Sequence, residues 1–427
     1  MRILVAAWDS GGGVEAVVTV AGKAARRGHQ VRVLGTEGLR ERFEAVGAIF
    51  RTYRYAPDND LSRPETDLVK DWEARTPIGL FGRVRDRLMF GPASQFCRDV
   101  VDELAAEPAD VLIVDALIPS ALSGGEAARV PTVLLMHGPY MLPRDGAPPF
   151  GLGLRPARSS VGRLRDRAAC AASYAFLRAG MSPLNKARSE YGLAPLASAR
   201  DLEAAPDRIL VCSSPSYDFA PGSVPAHARY VGPQLDDQPM GPWADPWIGG
   251  PPLPLVLVSL SSTVMRQEQL LQRAADALCE LPVHGVITTG PAVDAGLISA
   301  PPNVVVQRWA RHADILPHCA AVLTHGGHGT VMKALAAGVP LVVVPLGRDQ
   351  PDNAARVAMA GVGVRVSKNA SAARLRAAIR GVLADDAYGA SAREMALRLE
   401  GERRPGMVID EIERLASLHA SIPGGAR

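Results

Sequence analysis

Residues 324–330, Thr324-His325-Gly326-Gly327-His328-Gly329-Thr330, gather chemistry-bearing side chains into one glycine-rich turn. An apolar run of buried-strand type at residues 320–323 leads into it. A helical pattern follows through Ala337 and is stopped by Gly338 and Pro340, as helix C-termini commonly are. A second β-branched run at 341–344 completes a strand–helix–strand unit with a right-handed crossover. Such a unit aims glycine-freed N–H groups and a helix N-terminus at one point, where an anion binds. Any tight strand-to-helix turn shares part of this pattern. Two histidines among three glycines, with Asp349-Gln350 after the next strand, favour the anion site.

The elements that must position this turn are legible around it. At the N-terminus residues 3–7 read as a strand, 14–27 as a helix ended by Gly28, and 29–34 as a second strand. Trp8-Asp9-Ser10-Gly11-Gly12-Gly13 forms another glycine-rich turn at the first strand tip. Strands expected at 49–53, 111–114, 132–136 and 209–212 alternate with helices at 39–46, 99–106 and 121–129. That alternation implies a parallel sheet covered on both faces. Residues 56–91 and 138–162, rich in Pro and Gly, read as irregular loops. Residues 234–254 carry Pro239, Pro242, Pro246, Pro251, Pro252 and Pro254 without periodicity, the mark of a semi-rigid linker. A second series follows, with strands at 255–260, 285–289, 304–307 and 363–366 and helices at 268–281, 372–384, 390–400 and 407–419. The predicted fold is α/β. Its domains are 1–233 and 255–404, joined by the linker 234–254 and followed by a helical segment at 405–427.

Composition narrows the function. A formal charge of +3 is too near zero to argue for nucleic acid, and no aromatic–basic interleaving of the RNA-binding type is present. The 47% apolar and 21% charged residues describe a globular chain rather than a disordered one. Cys97, Cys170, Cys212, Cys279 and Cys319 are far apart, without Cys-x-x-Cys spacing, and read as buried thiols in a reducing compartment. No apolar run approaches the roughly 20 residues of a membrane span. The opening MRILVAAWD lacks the apolar core of a signal peptide, so a cytoplasmic location is expected.

The stretch from Trp309 to Asn353 resembles the nucleotide-sugar signature of the UDP-glycosyltransferase superfamily, glycosyltransferase family 1 of GT-B fold. In character it is most like bacterial enzymes that glycosylate antibiotics and other natural products. The resemblance implies two Rossmann-like domains facing across a cleft, with the acceptor held mainly by the N-terminal half and a dTDP- or UDP-sugar by the C-terminal half. It implies a final helix that crosses back onto the first domain. By similarity His325 donates to the diphosphate, while N–H groups of Gly327, His328, Gly329 and Thr330 hold its oxygens. Trp309 matches the tryptophan that stacks on the base, with Arg311 and His312 where the family usually has Pro and Gln. Ser261, Ser262 and Thr263 stand at the family's small hydroxyls near the phosphates, or else simply cap a helix. Asp349 and Gln350 match the pair that hydrogen-bonds sugar hydroxyls. Lys333 stands where many members have a ribose-binding Glu. A lysine offers no acceptor, which favours a dTDP-deoxysugar.

A diphosphate leaving group is stabilised either by a metal on an Asp-x-Asp turn or by oriented amides. Asp58-Asn59-Asp60 has the letters of the first but reads as a surface turn, so neither metal nor other cofactor is expected. Counted back from the Arg27-Gly28-His29 turn, Gly11 occupies the family's usual base histidine and Gly13 the Asp of a related Ser-Arg-Gly-Asp group, which Ser10 and Glu15 match. Asp9 and Ser10 at the strand tip, Asp115 at the family's partner Asp, and His137 at another strand end are the four candidates for the proton transfer. Otherwise the acceptor is acidic enough to need little help. Phe81, Phe90, Tyr140 and Phe150 are candidate linings for an apolar aglycone pocket. The expected activity is metal-independent inverting glycosyl transfer to a small hydrophobic acceptor by a monomer or homodimer. A catalytically degenerate nucleotide-sugar-binding protein and a GT-B sugar-nucleotide epimerase are the alternatives.

Overall fold

The computed structural model describes residues 1–59, 64–235, 243–404 and 406–421. The chain divides into two compact units. The first comprises residues 1–149, 156–234 and the described residues from Arg403 onward; the second comprises Phe150–Arg155 and the described residues of 235–402.

In the first unit seven parallel strands, β1 (Arg2–Ala6), β2 (Gln30–Gly35), β3 (Ile49–Thr52), β4 (Val111–Asp115), β5 (Thr132–Met136), β6 (Arg208–Val211) and β7 (Ala228–Tyr230), lie in the order β3-β2-β1-β4-β5-β6-β7. β4 and β5 are buried along their whole length, as parallel strands covered on both faces must be. Alternation along β1 divides the core: Ile3 and Val5 join one apolar cluster, Leu4 and Ala6 the other. In the second unit β8 (Leu255–Ser259), β9 (His284–Thr288), β10 (Val304–Gln307), β11 (Cys319–Thr324), β12 (Leu341–Val343) and β13 (Gly363–Arg365) form a parallel sheet ordered β10-β9-β8-β11-β12-β13. Both are doubly wound Rossmann-like sheets, as the sequence predicts.

Three expectations need correction. Residues 56–91 are not irregular throughout. A helix runs over Pro77–Arg83 and continues as a wider π-type turn over Val84–Met89, started by Thr76, whose hydroxyl accepts the Gly79 amide at 3.1 Å. Gly79 and Gly82 hide this helix from a propensity reading, while the Thr-Pro start announces it. Not all thiols are buried: Cys279, at the end of helix Glu268–Cys279, is exposed and Cys319 half-buried. Phe150 groups with the second unit, not with the stretch of the first where the sequence places it.

The final helix, Met407–Ala420, joins the first unit. Val408, Ile409, Ile412 and Leu415 enter the same cluster as Val17 and Ala21 of helix Val14–Arg26. Arg27 braces the contact through Asp410 at 2.7 Å and Glu413 at 3.0 Å. These ion pairs are half exposed and contribute little; the buried aliphatic side chains carry the docking. Ile412→Ala should therefore cost roughly 2–4 kcal/mol, read from denaturant midpoints, whereas Asp410→Ala should cost well under about 1 kcal/mol.

Candidate active site

In each sheet the strand order reverses beside the first strand of the unit, opening a crevice at the strands' carboxyl ends. In the second unit that point lies between β8 and β11. β11 delivers Thr324 there, and the chain turns through Gly326 at φ +94° into helix His328–Ala336. A side chain at Gly326 would meet Val343 Cγ1 at 2.7 Å, so both conformation and space require glycine. Val331, Met332, Ala334 and Leu335 are buried and hold the helix in place. Its N-cap is Gly327, with no side-chain cap, and the N–H groups of its first turn have no carbonyl partner within the helix. Gly329 is exposed, with nothing within 4 Å of where a Cβ would stand.

His325 sits at this helix end, buried, with Nε2 2.7 Å from the position a Gly327 Cβ would take. Burial, with the nearby Arg348 cation adding to it, pushes its pKa down to about 4, so the ring is neutral near pH 7. His328 is also buried. Gly327 and Thr330 flank it, both half-buried.

The β8 end supplies the facing wall. Ser261 Oγ and Thr263 Oγ1 lie 2.9 Å apart, and Gln267 clamps Ser261 by accepting its amide at 2.9 Å and donating to its carbonyl at 2.6 Å. Gln267 is the N-cap of helix Glu268–Cys279, so Ser261, Ser262 and Thr263 are not its caps. Ser259 Oγ contacts His312 Nε2 at 3.2 Å, tying the turn after β10 to the β8 tip. Trp309, 60% exposed, is not a core residue, and its indole face is open to a ligand.

The acidic–amide pair is divided in role. Gln350 is 2% exposed, and its Oε1 accepts the Leu346 and Gly347 amides at 2.7 and 3.0 Å. Its oxygen thereby shapes the loop, while its Nε2 donates to Met265 Sδ at 3.4 Å. Asp349 remains half-buried, bonded at 2.8 Å by Asn353 Nδ2, which also reaches the Gly326 carbonyl at 2.9 Å. Asn353 braces the glycine turn from inside helix Gln350–Met359 instead of capping it. Arg348 escaped the sequence reading. It adopts φ +57°, its Nη1 donates to Thr263 Oγ1 at 3.3 Å, and its charge acts on His325. The left-handed backbone that turns it there is visible only in the structure.

The first unit's reversal lies between β1 and β4 and gathers the four candidates for proton transfer. Asp9 is buried; its Oδ1 accepts the Gly11 amide at 3.0 Å, and its carbonyl accepts Asn59 Nδ2 at 2.9 Å. Asn59 is 3% exposed, so the Asp58-Asn59-Asp60 stretch is no surface turn at its centre, and Asp60 lies outside the described residues. Asp115 is fully buried at the β4 end, and His137 follows β5 with its Nδ1 3.6 Å from Asp115 Oδ1. Ser10 Oγ is 2.6 Å from the Cβ position of Gly13. Of the suggested acceptor-lining aromatics, Phe90 and Tyr140 are core residues at 0% and 1% exposure, while Phe81 and Phe150 are half-buried. Among the described residues no three of His, Cys, Asp and Glu form a metal-holding cluster, and no helix is long and apolar enough to cross a membrane.

Two doubly wound parallel units, one carrying an open helix N-terminus at its switch point, define a GT-B glycosyltransferase architecture. Residues 272–415 match the family described as erythromycin biosynthesis protein CIII-like, C-terminal domain. The chain is 31% identical over 428 residues to 4'-demethylrebeccamycin synthase of Lentzea aerocolonigenes, covering 98% of this chain and 99% of the relative. The calicheamicin glycosyltransferase CalG4 superposes with a TM-score of 0.75 at 24% identity, covering 99% of this chain and 100% of that one. Glycosyltransferase VinC, solved in complex with dTDP, gives 0.72 at 19% identity over 98% and 100% of the chains. These two show the fold. The chain belongs to the bacterial natural-product glycosyltransferases of family 1 and is a glycosyltransferase.

The buried neutral His325 predicts a pH effect on stability. Its folded pKa of about 4 lies below the ordinary 6.5, so stability is full above 6.5 and is lost as pH falls towards 4, because the unfolded chain takes up the proton first. The loss should be on the order of 3 kcal/mol, measured as the difference in unfolding free energy between wild type and His325→Phe across that window. Gly326→Ala should destabilise by at least about 1–3 kcal/mol at every pH.

Proposed function

We propose that the second unit binds the diphosphate of a dTDP- or UDP-sugar. The sugar then passes, with inversion and without a metal, to a hydroxyl of a small hydrophobic natural product held by the first unit. The open N-terminus of helix His328–Ala336 carries this reading. Its Gly327 cap gives the Gly329 and Thr330 amides no side-chain or intrahelical acceptor, His325 stands neutral beside them with its ring bonded to the Ser259 carbonyl, and Arg348 adds a fixed cation. These groups meet a doubly charged pyrophosphate without needing a divalent ion. The exposed Trp309 offers its face to the base, and Asp349 offers acceptors to sugar hydroxyls. Lys333 provides no acceptor for a ribose 2′-hydroxyl, which supports dTDP over UDP. The structure of VinC with dTDP, similar in fold, supports the same nucleotide.

Calorimetry with dTDP and UDP, with and without EDTA, followed by an acceptor screen tests this. The expected result is tighter binding of dTDP, no effect of EDTA on binding or turnover, and transfer only when an acceptor is present. Arg348→Ala should weaken dTDP roughly 10–100-fold, the worth of a charge-assisted hydrogen bond. Loss of turnover in EDTA would overturn the metal-free reading. Nucleotide binding without transfer would mark a degenerate binding protein, and donor conversion without acceptor an epimerase.

A further inference from the structure

Glycosyl transfer leaves one proton to be placed, that of the acceptor hydroxyl, and the tip of the first sheet offers a group for it. His137 is mostly enclosed, with 16% of its side chain exposed. Its Nδ1 is turned to Asp115, at ion-pair distance rather than hydrogen-bond length. Across the ring, Nε2 and Cδ2 stand 3.0 Å from where a Cβ on Gly13 would be. The imidazole therefore shows one nitrogen to a carboxylate shielded from water and the other to the glycine turn. Asp115 is held in orientation, because its Oδ1 also accepts the Leu117 amide at 2.9 Å.

The glycines beside it supply room. Gly13 has φ −69° and ψ −37°, a conformation open to any residue, so the backbone does not demand glycine there. A side chain would fall against both Ser10 Oγ and the imidazole. Gly12 is exposed, with nothing within 4 Å of its Cβ position. Ser10 Oγ is buried and has no hydrogen-bond partner among the described residues. Asp9, the other carboxylate at this tip, is engaged in bracing the turn through Gly11.

We propose that His137 is the general base of the transfer, Asp115 its positioning residue, and Gly13 the clearance through which an acceptor hydroxyl reaches Nε2; this rests on the glycosyl-transfer reading. A carboxylate at Nδ1 selects the tautomer with its proton there and directs the Nε2 lone pair to the turn. In the reaction the acceptor O–H bond breaks and its proton passes to Nε2. The oxygen forms its bond to the anomeric carbon, while the bond from that carbon to the diphosphate oxygen breaks with its electron pair. The imidazolium then returns the proton to water or to the departing nucleotide.

The test uses the full chain, a dTDP-sugar that the wild type turns over, and two acceptors, a phenol and an aliphatic alcohol. His137→Ala should lower kcat on the alcohol roughly 10²–10⁴-fold, lower it far less on the more acidic phenol, and recover with added imidazole. Affinity for dTDP should not change. Gly13→Ala should raise acceptor KM and lower kcat, again with dTDP affinity intact. Asp115→Asn should slow the wild type and add nothing to His137→Ala, a dependence that general loss of structure does not produce. If His137→Ala melts below the assay temperature, His137→Gln reads the same comparison. Full kcat on the alcohol without the imidazole overturns the proposal, as does an Asp115→Asn loss that multiplies with it. A wild type that binds dTDP yet moves no sugar to any acceptor sinks the glycosyl-transfer reading first, and the base assignment with it.

Discussion

A helix N-terminus without a capping side chain presents amides that the helix itself cannot bond, and this chain keeps one in a fixed place. First-turn amides that lack a partner are costly once they leave water, so a fold retains them where a ligand completes them. Helix His328–Ala336 is anchored by its apolar face, while the residue at its cap position is glycine. A serine at that position would satisfy one or two of those donors internally. It would also place a Cβ against His325. The same atom that glycine omits thus serves two ends: an open set of amides and an undisturbed imidazole.

The two units repeat one architectural answer with different chemistry. In both, a parallel sheet reverses its strand order and a glycine-rich turn occupies the crevice. In the second unit the turn carries a helix N-terminus and a neutral histidine, with Arg348 of the loop after β12 acting on that histidine. In the first it leads to a buried carboxylate, a histidine and open space, a site suited to moving a proton. The glycines differ accordingly. Gly326 is demanded by its positive φ and by the contact with Val343, whereas Gly13 is demanded by neither backbone angle nor turn type.

Much of this was legible in the residues. The run 132–136 coincides with β5, because buried parallel strands are short, continuous and apolar, and the β-branched run 304–307 coincides with the edge strand β10, buried only at Val304. The turn at 324–330 announced itself through glycine and histidine at a strand tip. What stayed hidden has a common physical origin, namely dependence on contacts distant in sequence. The bonds from the Leu346 and Gly347 amides to the Gln350 side-chain oxygen leave no mark in the sequence pattern. Arg348 looks like any loop arginine until its left-handed backbone turns it to Thr263. Likewise Asp115 and His137 meet only because β4 and β5 are neighbours in register, with Asp115 opposite Leu135.

The helix that follows β12 shows how such long-range dependence is organised. Four successive residues of Gln350–Met359, beginning at its first, include three with separate duties. Gln350 closes the loop before it, and Asn353 ties that loop's Asp349 to the glycine turn. Asp352, between them, accepts the amides of Gly151 and Gly153, the latter at 2.8 Å, from a segment some two hundred residues earlier. Burial outweighs those bonds and lifts the Asp352 carboxyl to about 6, so the residue holds this segment at an electrostatic cost. An apolar residue there would avoid that cost but leave two amides without acceptors, a loss of comparable size for each. The polar helix start is therefore retained for what it holds together, and the glycine turn beside it inherits that rigidity.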